Sequence, residues 1–311
     1  MISIEQVRKS YNGTRALDSF SLQVAQRELC GLVGPNGAGK TTLIKILATL
    51  LCPDSGRAMI AGIDVTADPA AIKRTVGYMP DQPGLYQDMR GREFLEFFAD
   101  AFRLPRADRG MAVERGLQRA GLQGRSEAFV EELSFGMKQR LLLAKTLLHE
   151  PSVLLLDEPA TGLDPLARVD LRQQLKELRN QGLTILVSSH ILSDLEEICD
   201  RVALISEGKN AVDAGGHSVL EMQPSKPQTA VYELEVLGKV GPALQTLASG
   251  AGARVLQSEG PRLLVEVSGG PRDAAALLRA IVDSGVDVVR FERSSLTLEE
   301  RYRQIFGAKQ P

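Results

Sequence analysis

The hydrophobic pattern predicts a chain of alternating strands and helices. Apolar and polar residues alternate over residues 2–24, around a turn signal at Asn12-Gly13, which indicates a pair of antiparallel strands. Leu29–Val33 has the pattern of a short buried strand, and residues 41–51 have the apolar periodicity of a helix. The first part of the chain therefore predicts a mixed α/β domain.

Two continuous apolar runs, Val153–Leu156 and residues 184–187, are typical of central strands in a parallel sheet. Residues 166–180 between them have the pattern of a crossover helix, and residues 92–148 before them have a helical pattern. Three further strands are predicted at residues 56–63, 75–79 and 202–206. The alternation favours an α/β fold with a helical insertion.

The composition changes near residue 222. Residues 222–229 are polar and contain two prolines, which is typical of a linker. The elements predicted after it are strands at 231–237, 254–257, 263–267 and 286–291, helices at 242–247 and 272–283, and a last amphipathic helix at 298–306. Up to residue 291 this is the β-α-β-β-α-β order of a ferredoxin-like α+β domain.

These boundaries predict two domains. The first spans residues 1–218, with a helical subdomain at about 85–150, and the linker spans 219–229. The second, at 230–311, is a small accessory domain whose role the sequence leaves open between regulation, extra dimer contact and simple stabilisation.

The charge and composition exclude some functions. Of the 311 residues 43% are hydrophobic and 24% are charged, and the net charge is −2, which is no electrostatic footprint for nucleic acid or an anionic membrane surface. No apolar run is long enough to span a bilayer, and the N-terminus lacks the apolar core of a signal peptide. Any membrane role is therefore expected to come through a partner.

The cysteines and histidines do not predict a metal site. There are three of each, at long spacings and without a CxxC pair. We expect the cysteines to be buried free thiols in a reducing compartment.

A glycine-rich loop is the first candidate for chemistry. Residues 34–41 match the pattern Gly-x-x-x-x-Gly-Lys-Thr, between a predicted strand and a predicted helix. The loop consists of Gly34, Pro35, Asn36, Gly37, Ala38, Gly39, Lys40 and Thr41. Its backbone N–H groups can wrap an anion at the positive end of the helix. We expect Lys40 to reach the β- and γ-phosphates, Thr41 to bind Mg²⁺ and Thr42 to add a phosphate contact; the alternative is a turn with a solvated lysine.

Two carboxylates follow the apolar run Val153–Leu156. Ligands in parallel sheets bind at the carboxyl ends of the strands, where Asp157 and Glu158 are predicted to lie. We expect Asp157 to hold Mg²⁺ through water and Glu158 to polarise the attacking water. The alternative is that both residues only cap the following turn.

Together these segments resemble the ATP-binding cassette (ABC) ATPases over residues 1 to about 218. The loop at 34–41 resembles Walker A and residues 154–159 resemble Walker B with its catalytic glutamate. Residues 133–137 resemble the LSGGQ signature, 161–164 the D-loop and 188–190 the switch histidine. The resemblance implies a RecA-like P-loop core with an antiparallel β subdomain and a helical subdomain.

The resemblance also implies roles for single residues. Ser134 and Gly136, at a capped helix start, would contact ATP held by the opposite chain, and the D-loop ends at Asp164. Phe135 departs from the signature glycine, and we expect its side chain to point away from the nucleotide. A neutral His190 would donate to the γ-phosphate and keep the water and Glu158 in register.

Two positions stay open. Tyr11 lies where the family stacks an aromatic ring on adenine, but a hairpin tyrosine also packs on a core. Relatives usually have glutamine where this chain has Asp81, and Gln82 comes one place later. Either residue is a candidate for the Mg²⁺ contact of that loop.

The resemblance implies the ATP-hydrolysing subunit of a transporter, in particular an exporter. It would work with ATP and Mg²⁺ as a head-to-tail dimer with a second copy or a paralogous cassette. It would drive a separate transmembrane permease from the cytoplasmic face of the cell membrane. The alternatives are a soluble non-transport ABC ATPase, disfavoured by the missing basic charge, and a non-catalytic scaffold, disfavoured because Lys40 and Glu158 are present.

Overall fold

The computed structural model describes residues 1–82, 84–191, 195, 198–210, 229–237, 253–268 and 271–294. The chain divides into two compact units, Met1–Pro224 and Ser225–Pro311. The predicted linker falls largely outside the described residues, as do the predicted helices at 242–247 and 298–306. Among the described residues no helix is both long and apolar enough to cross a bilayer.

The first unit begins with a four-stranded antiparallel sheet of order β2-β1-β4-β5. Its strands are β1 (Ile2–Tyr11), β2 (Thr14–Val24), β4 (Ser55–Ile60) and β5 (Ile63–Asp64). The predicted hairpin is confirmed, with Tyr11 opposite Thr14 across the turn. The predicted strand at 56–63 is broken after Ile60, because Ala61 and Gly62 have positive φ values and form a turn.

A six-stranded sheet of order β10-β9-β3-β8-β7-β6 forms the centre of the unit. Its strands are β3 (Leu29–Val33), β6 (Val76–Met79), β7 (Val153–Leu156), β8 (Thr184–Ser189), β9 (Arg201–Ser206) and β10 (Lys209–Asn210). The pairings among β3, β6, β7, β8 and β9 are parallel, and β10 pairs antiparallel with β9. The central strands β3, β7 and β8 are buried along their whole length, as their apolar runs predict.

Six helices accompany these sheets in the described part of the first unit. They are α1 (Lys40–Leu47), α2 (Pro69–Thr75), α3 (Gly91–Ala101), α4 (Arg106–Ala120), α5 (Phe135–Thr146) and α6 (Pro165–Asn180). The prediction that α1 continues to residue 51 is wrong, because Thr49 has a positive φ of 60° and ends the helical conformation. The helical pattern at 92–148 resolves into α3, α4 and α5, joined by loops and two short 3₁₀ turns.

The second unit contains an antiparallel sheet of order β12-β13-β11-β14. Its described elements are β11 (Thr229–Leu237), β12 (Ala253–Glu259), β13 (Arg262–Ser268), α7 (Pro271–Asp283) and β14 (Asp287–Ser294). Numbered within the unit, this order is 2-3-1-4, which agrees with the predicted ferredoxin-like domain. Its core includes Leu234, Val265 and Ile281 and a stacked pair of rings, Tyr232 and Phe291.

Candidate nucleotide site

The glycine-rich loop lies between the end of β3 and the start of α1, as the sequence predicts. Gly39 is the N-cap of α1 and has a φ of 108°. A Cβ there would lie 2.5 Å from the carbonyl oxygen of Ala16, so only glycine fits. The first N–H groups of α1 have no partner within the helix, which makes the loop a ready anion site.

Lys40 is held inside this loop. Its Nζ donates to the carbonyl oxygens of Gly34 at 2.7 Å and Pro35 at 3.2 Å, and it lies 3.3 Å from Glu158 Oε1. The side chain is only 6% exposed. The cation is therefore placed at the centre of the loop and already has a carboxylate beside it.

The loop forms one wall of an open cleft of about 390 Å³. Ten of its twelve lining residues, all except Ala16 and Thr161, are predicted site residues. The lining consists of Ala16, Asn36, Gly37, Ala38, Gly39, Lys40, Thr41, Thr42, Asp81, Glu158, Thr161 and His190. The structure therefore brings the predicted phosphate loop, Glu158 and His190 to one place.

Asp157 lies buried beneath this cleft at the end of β7. Its Oδ1 accepts a hydrogen bond from the Ser188 hydroxyl at 2.7 Å, and the Thr41 hydroxyl lies near enough to lower the pKa of the carboxyl group. Burial raises the pKa of Asp157, the two hydroxyls oppose that rise, and the charges of Asp81 and Glu158 add to it.

The same carboxylate fits a magnesium ion. Asp157 Oδ2 is buried and has no hydrogen-bond partner. Mg²⁺ prefers hard oxygen ligands, and Thr41 and Asp157 together offer a hydroxyl and a free carboxylate oxygen. A cation there would also satisfy the buried oxygen.

Glu158 and His190 form a second polar pair at the cleft. His190 Nδ1 lies 2.7 Å from Glu158 Oε2, and the backbone N–H of His190 donates to the same oxygen at 3.3 Å. In this arrangement the single ring proton of a neutral His190 is used on Glu158. A neutral ring then has no N–H left for a phosphate, unlike the donor expected from the resemblance.

The backbone at Glu158 is unusual for a residue with a side chain. Its φ is +50°, and its N–H donates to Ser188 Oγ at 2.9 Å. The left-handed conformation costs about 1 kcal/mol or more and persists where surrounding contacts fix it. Here the strained backbone turns the carboxylate toward Lys40 and His190.

Asp81 and Gln82 follow β6 and differ in position. Both residues are exposed, but Asp81 lines the cleft and Gln82 is not part of the lining. Asp81 also contributes to the raised pKa values of Asp157 and of Tyr78, whose pKa burial raises to about 12. The geometry thus favours Asp81 as the acidic group of this loop.

Ser134 and Gly136 lie at the start of α5 and do not line the cleft. Ser134 is the predicted N-cap, and its hydroxyl accepts from the Met137 N–H at 3.3 Å. The helix begins at Phe135, directly after this cap. Asp164 caps α6 in the same way, since its Oδ1 accepts from the Ala167 N–H at 2.9 Å.

Tyr11 is 42% exposed and ends β1 beside the hairpin turn. It is not part of the cleft lining, and Lys9 Nζ lies 5.9 Å from the centre of its ring. The ring is therefore exposed at that edge and is not a core residue.

Three residues of the site have no predicted role. They are Ser188, which links Asp157 to the Glu158 backbone; Thr161, whose hydroxyl lies 3.5 Å from Glu158; and Gln139, which bonds to the Pro159 carbonyl oxygen. The sequence signal for Ser188 is its place at the carboxyl end of an apolar strand. The other two contacts depend on tertiary packing.

Comparison with known proteins identifies relatives of one kind. The ABC transporter family model matches residues 17–161. The Nod factor export ATP-binding protein I of Burkholderia thailandensis is 38% identical over 71% of this chain and 73% of its own length. The daunorubicin resistance ATP-binding protein DrrA3 of Streptomyces coeruleorubidus is 30% identical, over 98% of this chain and 96% of its own. The ABC transporter ATP-binding protein YxlF of Bacillus subtilis is 32% identical over 99% of this chain and its own full length.

Solved structures agree with these relatives. The ATP-binding subunit of an ABC transporter superposes with a TM-score of 0.61 at 32% identity and covers 67% of this chain and 87% of its own. CbiO1 from Clostridium perfringens, part of the transporter complex cbiONQ, gives a TM-score of 0.64 at 27% identity over 72% of this chain and 88% of its own.

Proposed function

Because the chain belongs to the ABC transporter family and is an ATP-binding cassette ATPase, we propose that it powers an exporter as a head-to-tail dimer bound to a separate transmembrane permease. The observation that carries this proposal is the separation of two half-sites in one chain. Lys40, Glu158 and His190 share one cleft, whereas the capped start of α5 at Ser134 lies outside its lining. A second copy would bring its own Ser134 to this cleft.

The cleft residues divide the work of hydrolysis. The loop N–H groups and Lys40 hold the phosphates, and Glu158 orients and polarises the attacking water. His190 fixes the Glu158 carboxylate through the 2.7 Å contact. Mg²⁺, held through Thr41 and Asp157 with Asp81 or Gln82 as a further contact, would neutralise phosphate charge.

The nucleotide would act as the joint of the dimer. ATP held by Lys40 of one copy would accept hydrogen bonds from the Ser134 end of the other, because a capped helix start presents free N–H groups. ATP would then favour the closed dimer by differential affinity, and hydrolysis would release it.

An aromatic patch on the helical subdomain suits the permease. We define it as Tyr86, Phe97, Phe98 and Phe102, whose neighbouring rings lie 5.2–6.4 Å apart, with Lys145 Nζ 4.7 Å from Phe98. Tyr86 is 48% and Phe97 is 44% exposed. Exposed apolar patches commonly mark protein interfaces, and docking there would place the protein at the inner face of the membrane.

Names of the relatives support export. One relative is named for Nod factor export and another for daunorubicin resistance, and both names are consistent with export. We extend the direction to this chain and not the cargo, since the cleft residues are assigned to the nucleotide.

The variant Glu158→Gln tests the proposal. It should bind ATP, hydrolyse it on the order of a hundredfold or more slower, and elute as a dimer when ATP is present. The double variant Glu158→Gln/Lys40→Ala is the control and should stay monomeric. If Glu158→Gln stays monomeric with ATP at high protein concentration, the head-to-tail dimer is wrong.

A further inference from the structure

The start of α5 is packed on the loop that follows Glu158. Gly162 in that loop has a φ of +77°, and a Cβ built on it would lie 3.2 Å from two carbons of the Phe135 ring. The ring therefore rests on the bare backbone of Gly162. Phe135 is nevertheless 54% exposed, so only one side of the ring is covered.

A hydrogen bond one turn later repeats this connection. Gln139 Nε2 donates to the carbonyl oxygen of Pro159 at 2.5 Å, and Pro159 is covalently joined to Glu158. Phe135 and Gln139 are four residues apart on α5 and therefore lie on the same face of the helix. One apolar and one polar contact from that face hold the loop at Gly162 and at Pro159.

The helices α5 and α6 also approach closely at this point. A Cβ on Gly136 would lie 3.2 Å from the Ala167 Cβ, in the first turn of α6. The loop from Pro159 to Asp164 thus lies between two helix starts that touch each other. Thr161 continues the connection to the site, since its N–H donates to the Glu158 carbonyl oxygen at 3.1 Å.

We propose that Phe135 and Gln139 are positioning residues that couple the two ATP sites of the dimer. This inference rests on the proposed head-to-tail dimer. When Ser134 contacts the nucleotide of the other copy, α5 is fixed, and its contacts with Gly162 and Pro159 fix Glu158 of its own chain. Filling one site thereby prepares the other for hydrolysis.

Phe135 is the distinctive part of this coupling. A glycine at that position, as in the signature that this segment resembles, has no ring to place on Gly162. The chain gains an apolar contact between two segments that face different nucleotides. At this position a side chain that packs stands in place of a flexible glycine. A shift of α5 is therefore transmitted to the loop.

Steady-state hydrolysis by the full chain over a range of ATP concentrations tests the coupling. The wild type should give a sigmoidal curve with a Hill coefficient above one. Phe135→Ala and Gln139→Ala should give hyperbolic curves and a kcat on the order of tenfold lower. Binding of a fluorescent ATP analogue without Mg²⁺ should stay at the wild-type value, because neither residue lines the cleft.

Two further variants separate coupling from folding. Phe135→Leu keeps an apolar side chain on Gly162 and should keep part of the cooperativity. Met111→Ala removes a 62% exposed side chain from α4 and should behave as wild type. A lower melting temperature with an unchanged Hill coefficient and kcat would assign Phe135 a structural role only and overturn the inference.

The outcome is distinguishable from failure of the dimer. Glu158→Gln/Phe135→Ala should still form the ATP-dependent dimer. If the dimer forms but Phe135→Ala and Gln139→Ala keep the cooperativity of the wild type, only the coupling is overturned. A Hill coefficient of one for the wild type would also overturn only the coupling. Absence of the dimer in Glu158→Gln itself overturns the proposed function.

Discussion

Lys40 Nζ lies 3.3 Å from Glu158 Oε1, and the two side chains are 6% and 12% exposed. The residue expected to grip phosphate and the residue expected to activate water are therefore direct partners. A phosphate entering the loop competes with Glu158 for the same ammonium group. We therefore expect nucleotide binding to be linked to release of Glu158 toward the water.

Replacing Lys40 should strongly weaken ATP binding. Lys40→Ala removes a charge-assisted contact to phosphate, which should weaken ATP binding by about 2–3 kcal/mol, on the order of a hundredfold. Titration of a fluorescent ATP analogue measures this. Lys73→Ala, at an exposed lysine of α2, is the control and should bind as wild type. Full ATPase activity of Lys40→Ala would overturn the assignment of the loop.

Ser134 should be needed for the dimer as well as for its helix. Ser134→Ala should cost about 1 kcal/mol of stability, as loss of an N-cap does. Asp68→Ala removes the cap of α2, where Asp68 Oδ1 accepts from the Ala71 N–H at 2.9 Å, and should cost a similar amount. In the Glu158→Gln background, only Ser134→Ala should weaken the ATP-dependent dimer. Equal effects of both variants on dimerisation would show that Ser134 acts only as a helix cap and not as a contact in the dimer.

Asp81 rather than Gln82 should affect the use of magnesium. Asp81 lines the cleft and its charge raises the pKa of Asp157, whereas Gln82 is not part of the lining. We predict that Asp81→Asn raises the Mg²⁺ concentration for half-maximal ATPase roughly tenfold, by loss of one carboxylate. Gln82→Ala should leave that concentration unchanged. The reverse pattern would assign the role to Gln82.

His149 should make the fold sensitive to acid. Burial lowers its pKa below 6.5, the charge of Lys145 adds to this, and the 3.0 Å contact of Nε2 with the Val76 carbonyl opposes it. Because the unfolded chain then takes up the proton first, stability falls as the pH drops below about 6.5 until the folded pKa is reached. His149→Gln should flatten the fall in melting temperature between pH 7.5 and pH 5.5. A slope equal to that of the wild type would contradict this account.

Local signals were sufficient for much of the fold. The run Val153–Leu156 coincides with β7 because a short apolar segment bounded by polar residues is typical of a buried strand. The helix predicted at 166–180 differs from α6 by one residue, since its Asp-Pro start is a strong cap signal. The predicted end of α1 is wrong because the helix is ended by the positive φ of Thr49, which the hydrophobic pattern does not indicate.

The site was predictable in its parts and less so in its contacts. The phosphate loop and the acidic residues each form a contiguous segment of the sequence, so their positions follow from the order of the strands and loops. Choosing between Asp81 and Gln82 requires knowledge of the backbone path of their loop, because the side chains of neighbouring residues point in different directions. The contact of Phe135 with Gly162 joins segments that are distant in the sequence, and only the packed structure provides it.

At Asp157 the requirements of stability and of activity are opposed. A buried carboxylate with one unpartnered oxygen is a poor choice for a stable interior, and an amide there would remove the charge that burial disfavours. Selection for heat resistance alone would favour losing this acid early. We expect the reaction to require this acid, so a more stable variant would have to gain its stability elsewhere in the chain.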